Sequence, residues 1–205
     1  GGIPGGSVEM SGAITSQYFS SVAISGACAR EPVELCCVDD MAEKPYFDIT
    51  LQMMSDFGAK FDRQGYTRVL FSGGRPYSAR DFTVEGDFSS ASFFLLAAAV
   101  CGSKVRVNNL RPDTCQGDRD VVDLLAEMGC RVSQDRAGVD IEGGALKAIE
   151  RDMSDMPDLV PPMAVAAAFA AGTSRFTNIA QLRVKECDRL AVMVSELGKM
   201  GIEAE

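Results

Sequence analysis

The stretch Met54-Ser55-Asp56-Phe57-Gly58-Ala59 has two later echoes, Ala126-Glu127-Met128-Gly129-Cys130 and Gly198-Lys199-Met200-Gly201-Ile202. Recurrence at a period of about 70 residues restricts the chain to architectures built from repeated supersecondary units. Each echo ends an amphipathic run on a glycine. A glycine just past a helix takes the left-handed conformation that closes it, so each echo reads as a joint from helix to strand.

The pattern upstream of each joint recurs as well. Thr15-Ser16-Gln17, Ser89-Ser90-Ala91 and Pro157-Asp158-Leu159 each open a helix. The runs Phe93 to Val100 and Met163 to Ala171 are apolar on every side and predict inner helices buried all round; Tyr18 to Ala27 is more mixed. The second helix of each unit shows one apolar stripe instead: Phe47, Leu51, Met54; Val121, Leu124, Leu125, Met128; Leu190, Val194, Leu197. These predict outer helices with one wet face.

Between the two helices of each unit lies a strand-like run, Val33 to Val38, Lys104 to Asn109 and Ser174 to Ile179. The unit therefore reads β-α-β-α-β-β. Its last two strands form a hairpin ending at Gly73-Gly74 and at Gly143-Gly144. The third unit reaches Glu205 before a hairpin closes, from which the chain is expected to be a truncated piece with exposed sheet edges as places for self-association. Gly1 to Gly6 reads as a turn-rich linker.

Composition narrows the functional classes. With 205 residues and 46% hydrophobic content the chain can bury a sizeable core. A net charge of −9 argues against nucleic-acid or anionic-membrane partners, which need a broad basic face. Seven cysteines without a CxxC pair or a secretory leader point to a reducing, cytoplasmic setting rather than a disulfide framework or a closed zinc site. The apolar runs are shorter than the roughly 20 residues of a membrane span. The chain has no histidine, so proton transfer falls to Asp, Glu, Lys, Cys or Tyr, and neither a metal nor another cofactor is implied.

Three places carry candidate chemistry. In Arg183-Val184-Lys185-Glu186-Cys187-Asp188-Arg189, Lys185 and Arg189 share a face if the segment is helical. Cations at a helix N-terminus oppose the macrodipole unless an anion sits among them, and the alternative is a solvated turn with Glu186 and Asp188 as counter-charges. Thr15-Ser16-Gln17 offers hydroxyls and backbone N–H groups to a phosphate, or simply caps a helix. Asp158 is either a cap or a carboxylate walled by apolar helices, with a raised pKa suited to proton exchange.

Longer motifs add a resemblance. Arg183 to Arg189 resembles the R-V-K-E-[TS]-D-R signature of the 5-enolpyruvylshikimate-3-phosphate synthases. Val84-Glu85-Gly86-Asp87-Phe88-Ser89-Ser90-Ala91-Ser92 and Met10-Ser11-Gly12-Ala13-Ile14-Thr15-Ser16-Gln17-Tyr18 resemble two further segments of that family. Lys44-Pro45-Tyr46, Gln116-Gly117-Asp118 and Met156-Pro157-Asp158 follow in family order. The resemblance implies an α/β enolpyruvate-transferase fold of the inside-out barrel type, with residues 1–76 as one unit of one domain and 77–205 as two units of the other, the last incomplete.

It also implies transfer of enolpyruvate from phosphoenolpyruvate to shikimate 3-phosphate, without cofactor or metal, at a site that glyphosate can occupy. By that likeness Thr15 and Ser16 hold the phosphate of shikimate 3-phosphate, and Gln17 reaches both substrates. Tyr46, Gln181 and Lys185 contact shikimate 3-phosphate, Arg189 clamps phosphoenolpyruvate, Asp158 accepts the proton of the attacking hydroxyl, and Glu186 handles protons at the methylene. Lys185 is counted with Asp158 and Glu186 in the catalytic set. The sister transferase acting on UDP-N-acetylglucosamine and a non-catalytic repeat or binding partner are the alternatives.

Two kinds of departure stand out. Glu43 occupies a place where the family has a phosphate-contacting Ser, and a carboxylate there repels phosphate unless it is protonated or turned away. Thr15 for Ser and Gln181 for Asn keep the donor chemistry. The family's other basic residues and its Asn-Ala-Gly loop have no counterparts in this sequence, so the chain alone is expected to lack full activity.

Overall fold

A computed structural model describes residues 2–74 and 77–205. The chain forms two compact units, divided between Thr83 and Val84. The boundary read from the sequence falls at residues 76 and 77, and Pro76 lies outside the described residues.

The first unit runs β1 (Gly6–Met10), α1 (Gln17–Gly26), β2 (Val33–Cys37), α2 (Lys44–Asp56), β3 (Phe61–Gln64) and β4 (Arg68–Phe71). This is the β-α-β-α-β-β order read from the sequence. Its sheet has the order β1-β2-β4-β3, with β1 parallel to β2 and the rest antiparallel. Gly6 belongs to β1 rather than to a linker, because its N–H donates to Pro32 O at 2.9 Å. Alternate residues of β2, Val33, Leu35 and Cys37, are buried with Phe47, Leu51 and Met54 of α2. Phe19 of α1 meets Phe47 edge-on, centroids 6.1 Å apart. Burying each such side chain contributes about 1.5–3 kcal/mol.

The second unit contains α3 (Phe88–Cys101), β5 (Lys104–Asn108), α4 (Val121–Glu127), β6 (Arg131–Gln134) and β7 (Gly138–Glu142). There follow β8 (Glu150–Asp152), α5 (Val160–Ala168), β9 (Arg175–Thr177) and α6 (Arg189–Lys199). Strands β5, β7 and β6 form one antiparallel sheet, and β8 pairs parallel with β9. Three 3-10 segments, Gly117–Asp120, Pro157–Leu159 and Ala180–Val184, lead into or between helices.

Three sequence expectations need correction here. Within the second unit no strand precedes α3 among the described residues. Where β1 and β8 run parallel to the strand after the inner helix, residues 84–86 form no such ladder and reach the end of β5 through Asn109: Gly86 N–H donates to its carbonyl at 2.7 Å, and its side chain donates to Val84 O at 3.1 Å. The apolar inner helices are not buried all round either. In α3, Phe88, Ala91, Leu95, Ala98 and Ala99 are buried, whereas Phe93 and Phe94 are 57% and 64% exposed. The helix packs one face on its sheet and on α5, and composition cannot tell which face is covered. The third outer stripe is also incomplete, since Leu197 of α6 is buried but Val194 is 37% exposed.

The three glycine joints do close the outer helices in one way. Gly58, Gly129 and Gly201 have φ of 90°, 113° and 79°. After each, the next N–H reaches back five residues: Ala59 to Met54 O, Cys130 to Leu125 O, both 2.9 Å, and Ile202 to Leu197 O, 3.0 Å. That is the Schellman closure, which satisfies carbonyls the helix leaves open.

The surroundings of these glycines differ. A Cβ at Gly129 would lie 2.7 Å from the Ala145 carbonyl oxygen, whereas one at Gly201 meets nothing within 4 Å. Gly201→Ala is therefore expected to cost about 1 kcal/mol of conformational strain, and Gly129→Ala about 2–3 kcal/mol. Urea unfolding of the two variants checks this, and equal losses would show that the carbonyl contact is relieved without cost.

Candidate active site

Two clusters gather the candidate residues, one in each unit. In the first unit the loop from β1 to α1 is tied down by acidic side chains. Asp39 accepts from the Gly12 N–H at 2.7 Å and from the Ser11 hydroxyl. Those bonds, the Ser11 hydroxyl first, hold the Asp39 carboxyl below its ordinary range. Gly12 is required at this place, because a Cβ would sit 2.8 Å from Cys37 Sγ and 2.9 Å from Met41 Cα.

The loop then delivers Thr15 and Ser16, both buried, to Glu43 at the start of α2. Thr15 Oγ1 donates to Glu43 Oε2 at 2.8 Å, and Ser16 Oγ donates to the Glu43 carbonyl at 2.9 Å. The Tyr46 N–H reaches the same carbonyl at 3.2 Å. Glu43 is 2% exposed and has φ 57°, a left-handed conformation that a glutamate adopts only when its surroundings impose it. It is therefore not turned away. Gln17 begins α1 and is exposed, and Tyr46 lies half-buried on α2.

In the second unit the N-terminus of α3 is capped by Asp87, not by Ser89 or Ser90. Its carboxylate accepts from Ser89 N–H at 3.0 Å and Ser90 N–H at 3.2 Å. Burial pushes the Asp87 carboxyl up, but the bonds from Ser90 and Ser89 outweigh it and hold the group low. The entry to α3 is braced by Gln116, which donates to Gly86 O at 2.8 Å and Glu85 Oε1 at 3.0 Å and accepts from Phe88 N–H at 2.8 Å. Ser89, whose hydroxyl donates to Asp118, and Ser90, whose hydroxyl donates to Asp87, line an open groove of about 430 Å³ with Phe93, Phe94, Asp158, Pro161 and Arg189.

Arg189 organises the charge in that groove. Its Nη1 donates to Asp158 Oδ1 at 2.6 Å, while Nε and Nη2 grip Glu186 at 3.1 and 2.7 Å. One guanidinium thus holds two carboxylates, a use of its planar fork that a lysine could not reproduce. The bonds to Glu186 and Asp158 push the Arg189 pKa up against its partial burial. In return the hydrogen bonds from Arg189 hold the Glu186 carboxyl below its ordinary value, with a smaller contribution from Lys185. Asp158 lies beside the apolar Phe93, Phe94 and Pro161 as expected, yet it is ion-paired rather than isolated among them.

The expectation that Lys185 and Arg189 share a helix face is not met. Lys185 ends the 3-10 segment Ala180–Val184 with ψ −154°, and α6 starts only at Arg189. Asp188 is the reason: it caps α6 by accepting from Ala191 N–H at 3.0 Å, and it pairs with Arg183 at 3.2 Å. Gln181 lies half-buried in that same 3-10 segment and does not line the groove. The structure therefore unites Asp158, Glu186 and Arg189, and separately Thr15, Ser16 and Tyr46 around Glu43. Ser89, Phe93 and Phe94 were missed as groove residues because an apolar run gives no sign of which side stays open. Among the described residues no cluster of three His, Cys, Asp or Glu side chains suits a metal ion.

With this geometry in hand, likeness to known proteins decides the family. The family model described as EPSP synthase (3-phosphoshikimate 1-carboxyvinyltransferase) matches residues 1–205. The chain belongs to the EPSP synthase family. The 3-phosphoshikimate 1-carboxyvinyltransferase of Methanoculleus marisnigri is 43% identical over 100% of this chain and 49% of that protein. The one from Klebsiella pneumoniae is 40% identical over 100% of this chain and 48% of its own length. The chain thus spans about half the length of these EPSP synthase relatives. Among solved structures, an EPSP synthase from Acinetobacter baumannii superposes with TM-score 0.75 at 25% identity, covering 96% of this chain and 45% of that one. The enolpyruvyl transferase NikO from Streptomyces tendae, at TM-score 0.63 and 20% identity over 83% of this chain, shares the fold. The α/β enolpyruvate-transferase architecture that the resemblance implies is the one these neighbours have.

The Arg189 grip on Glu186 has a measurable consequence. Because the folded-state pKa of Glu186 is depressed, the stability it contributes is present above its unfolded value and is lost as pH falls through the folded one. In Arg189→Gln the Glu186 carboxyl is expected to titrate upward, toward the ordinary 4.5. Carboxyl-carbon NMR across acid pH reads the shift, and an unmoved midpoint would show that Arg189 does not set it.

Proposed function

We propose that this chain provides part of the machinery of a 3-phosphoshikimate 1-carboxyvinyltransferase. The reaction moves the enolpyruvyl group of phosphoenolpyruvate to the 5-hydroxyl of shikimate 3-phosphate and releases phosphate. The observation that carries the reading is the Asp158–Arg189–Glu186 arrangement, in which one guanidinium holds two carboxylates beside an open groove. A reaction between two anions needs cationic alignment together with a separate base and acid, and this cluster supplies one of each.

In this reading Asp158 accepts the proton of the attacking hydroxyl as the new oxygen–carbon bond forms. Glu186 delivers a proton to the methylene carbon. Phosphate then leaves as its bond to the carbon attacked by the hydroxyl breaks, and a proton of the new methyl group returns to a carboxylate. Every nitrogen of Arg189 already donates to one of its two carboxylates, so an anionic phosphoenolpyruvate competes with them for the fork. Displacing Glu186, the more exposed partner, removes the chief cause of its depressed pKa and fits it to act as an acid. Thr15, Ser16, Gln17, Tyr46, Gln181 and Lys185 are the proposed contacts to shikimate 3-phosphate, with Gln17 also serving phosphoenolpyruvate. Glyphosate is expected to compete at the same residues.

Among the described residues no helix is long and apolar enough to cross a membrane. The seven cysteines support a cytoplasmic setting for the reading.

The test is calorimetric titration of shikimate 3-phosphate into the chain, with Lys185→Ala as control. Saturable binding is expected, weakened about tenfold or more by loss of a charge-assisted contact. Binding that Lys185→Ala leaves unchanged would remove Lys185 from the site, and no binding even at millimolar ligand would overturn the reading. Phosphate release by the chain alone is expected to be negligible, and turnover at the rate of a full-length relative would contradict that.

A further inference from the structure

We infer that Glu43 is an affinity-setting residue of the first unit: a built-in carboxylate that occupies the hydroxyl cradle of Thr15 and Ser16 and competes there with the phosphate of the acceptor. The inference rests on the proposed role of that cradle in binding shikimate 3-phosphate. It differs from a structural tether in predicting that charge, not shape, is what the ligand meets.

The geometry supports occupancy in three ways. First, the Glu43 carboxylate receives the Thr15 hydroxyl at 2.8 Å, so this donor already has an acceptor of the kind a phosphate oxygen would be. Second, Ser16 is wholly buried and gives its hydroxyl to the Glu43 carbonyl at 2.9 Å, so both hydroxyls are committed to one residue. Third, Glu43 is 2% exposed and held at φ 57°, which keeps the carboxylate on the Thr15 hydroxyl rather than leaving it to swing into water.

A buried charge keeps its field because little solvent screens it. A phosphate monoester entering the cradle would therefore meet both a competitor for Thr15 and a like charge beside it. The acceptor's uncharged ring carries no such penalty, so discrimination falls on the phosphate and not on the ring.

The experiment is calorimetric titration of the full chain and of Glu43→Gln and Glu43→Ser, each with shikimate 3-phosphate and with unphosphorylated shikimate. Glu43→Gln keeps the size and an acceptor for Thr15 but removes the charge, and circular dichroism confirms that each variant is folded. The expected result is at least a tenfold gain in affinity for shikimate 3-phosphate in both variants, with affinity for shikimate changed less than twofold. Unchanged or weaker binding of shikimate 3-phosphate in both variants, while the parent chain binds it, would overturn the role of Glu43 and leave the functional reading intact. An equal gain for both ligands would also overturn it, because the effect would then not depend on the phosphate. Failure of all three proteins to bind shikimate 3-phosphate would overturn the functional reading and the inference with it.

Discussion

A helix can be followed at once by a strand running back over it only if the chain reverses within two residues, and in this protein a left-handed glycine makes that reversal. Gly58, Gly129 and Gly201 each let the next N–H return to a carbonyl five residues earlier. After Gly58 and Gly129 the chain enters the hairpins β3–β4 and β6–β7. These hairpins bury Val69, Phe71, Val139 and Ile141, so the glycine closures lead directly into the strands on which both cores depend.

On that frame the protein handles charge locally. With a net charge of −9 and no histidine, the cations of its candidate site are few and held by acidic neighbours. Arg189 is buffered by Asp158 and Glu186, and Arg183 by Asp188. In the first unit the hydroxyls of Thr15 and Ser16 are satisfied by Glu43, and those of Ser11 by Asp39. Both clusters are thus self-satisfied without a ligand, which avoids the cost of buried unpaired groups. In the proposed function an incoming anion works by exchange, replacing an internal carboxylate.

Much of the architecture was legible because it rests on local rules. The helix-closing glycines, the outer stripes Phe47-Leu51-Met54 and Val121-Leu124-Leu125-Met128, and the strands at Val33 and Lys104 depend on conformational preference and periodicity. The misreadings were tertiary. The start of α3 was read at Ser89-Ser90, but Asp87 captures the N–H groups of both. Lys185 and Arg189 looked like helical neighbours, but Asp188 caps a helix that starts only at Arg189.

The sequence by itself determined the repeating unit, the family and the identity of the acidic and basic residues available for chemistry, because these are written in spacing and residue type. Only the tertiary structure decided which side of α3 stays open, which carboxylates share Arg189, and that Glu43 turns inward onto Thr15. Those choices are settled by contacts between residues some 30 positions apart, where the burial of a charge is set by neighbours that no local pattern specifies.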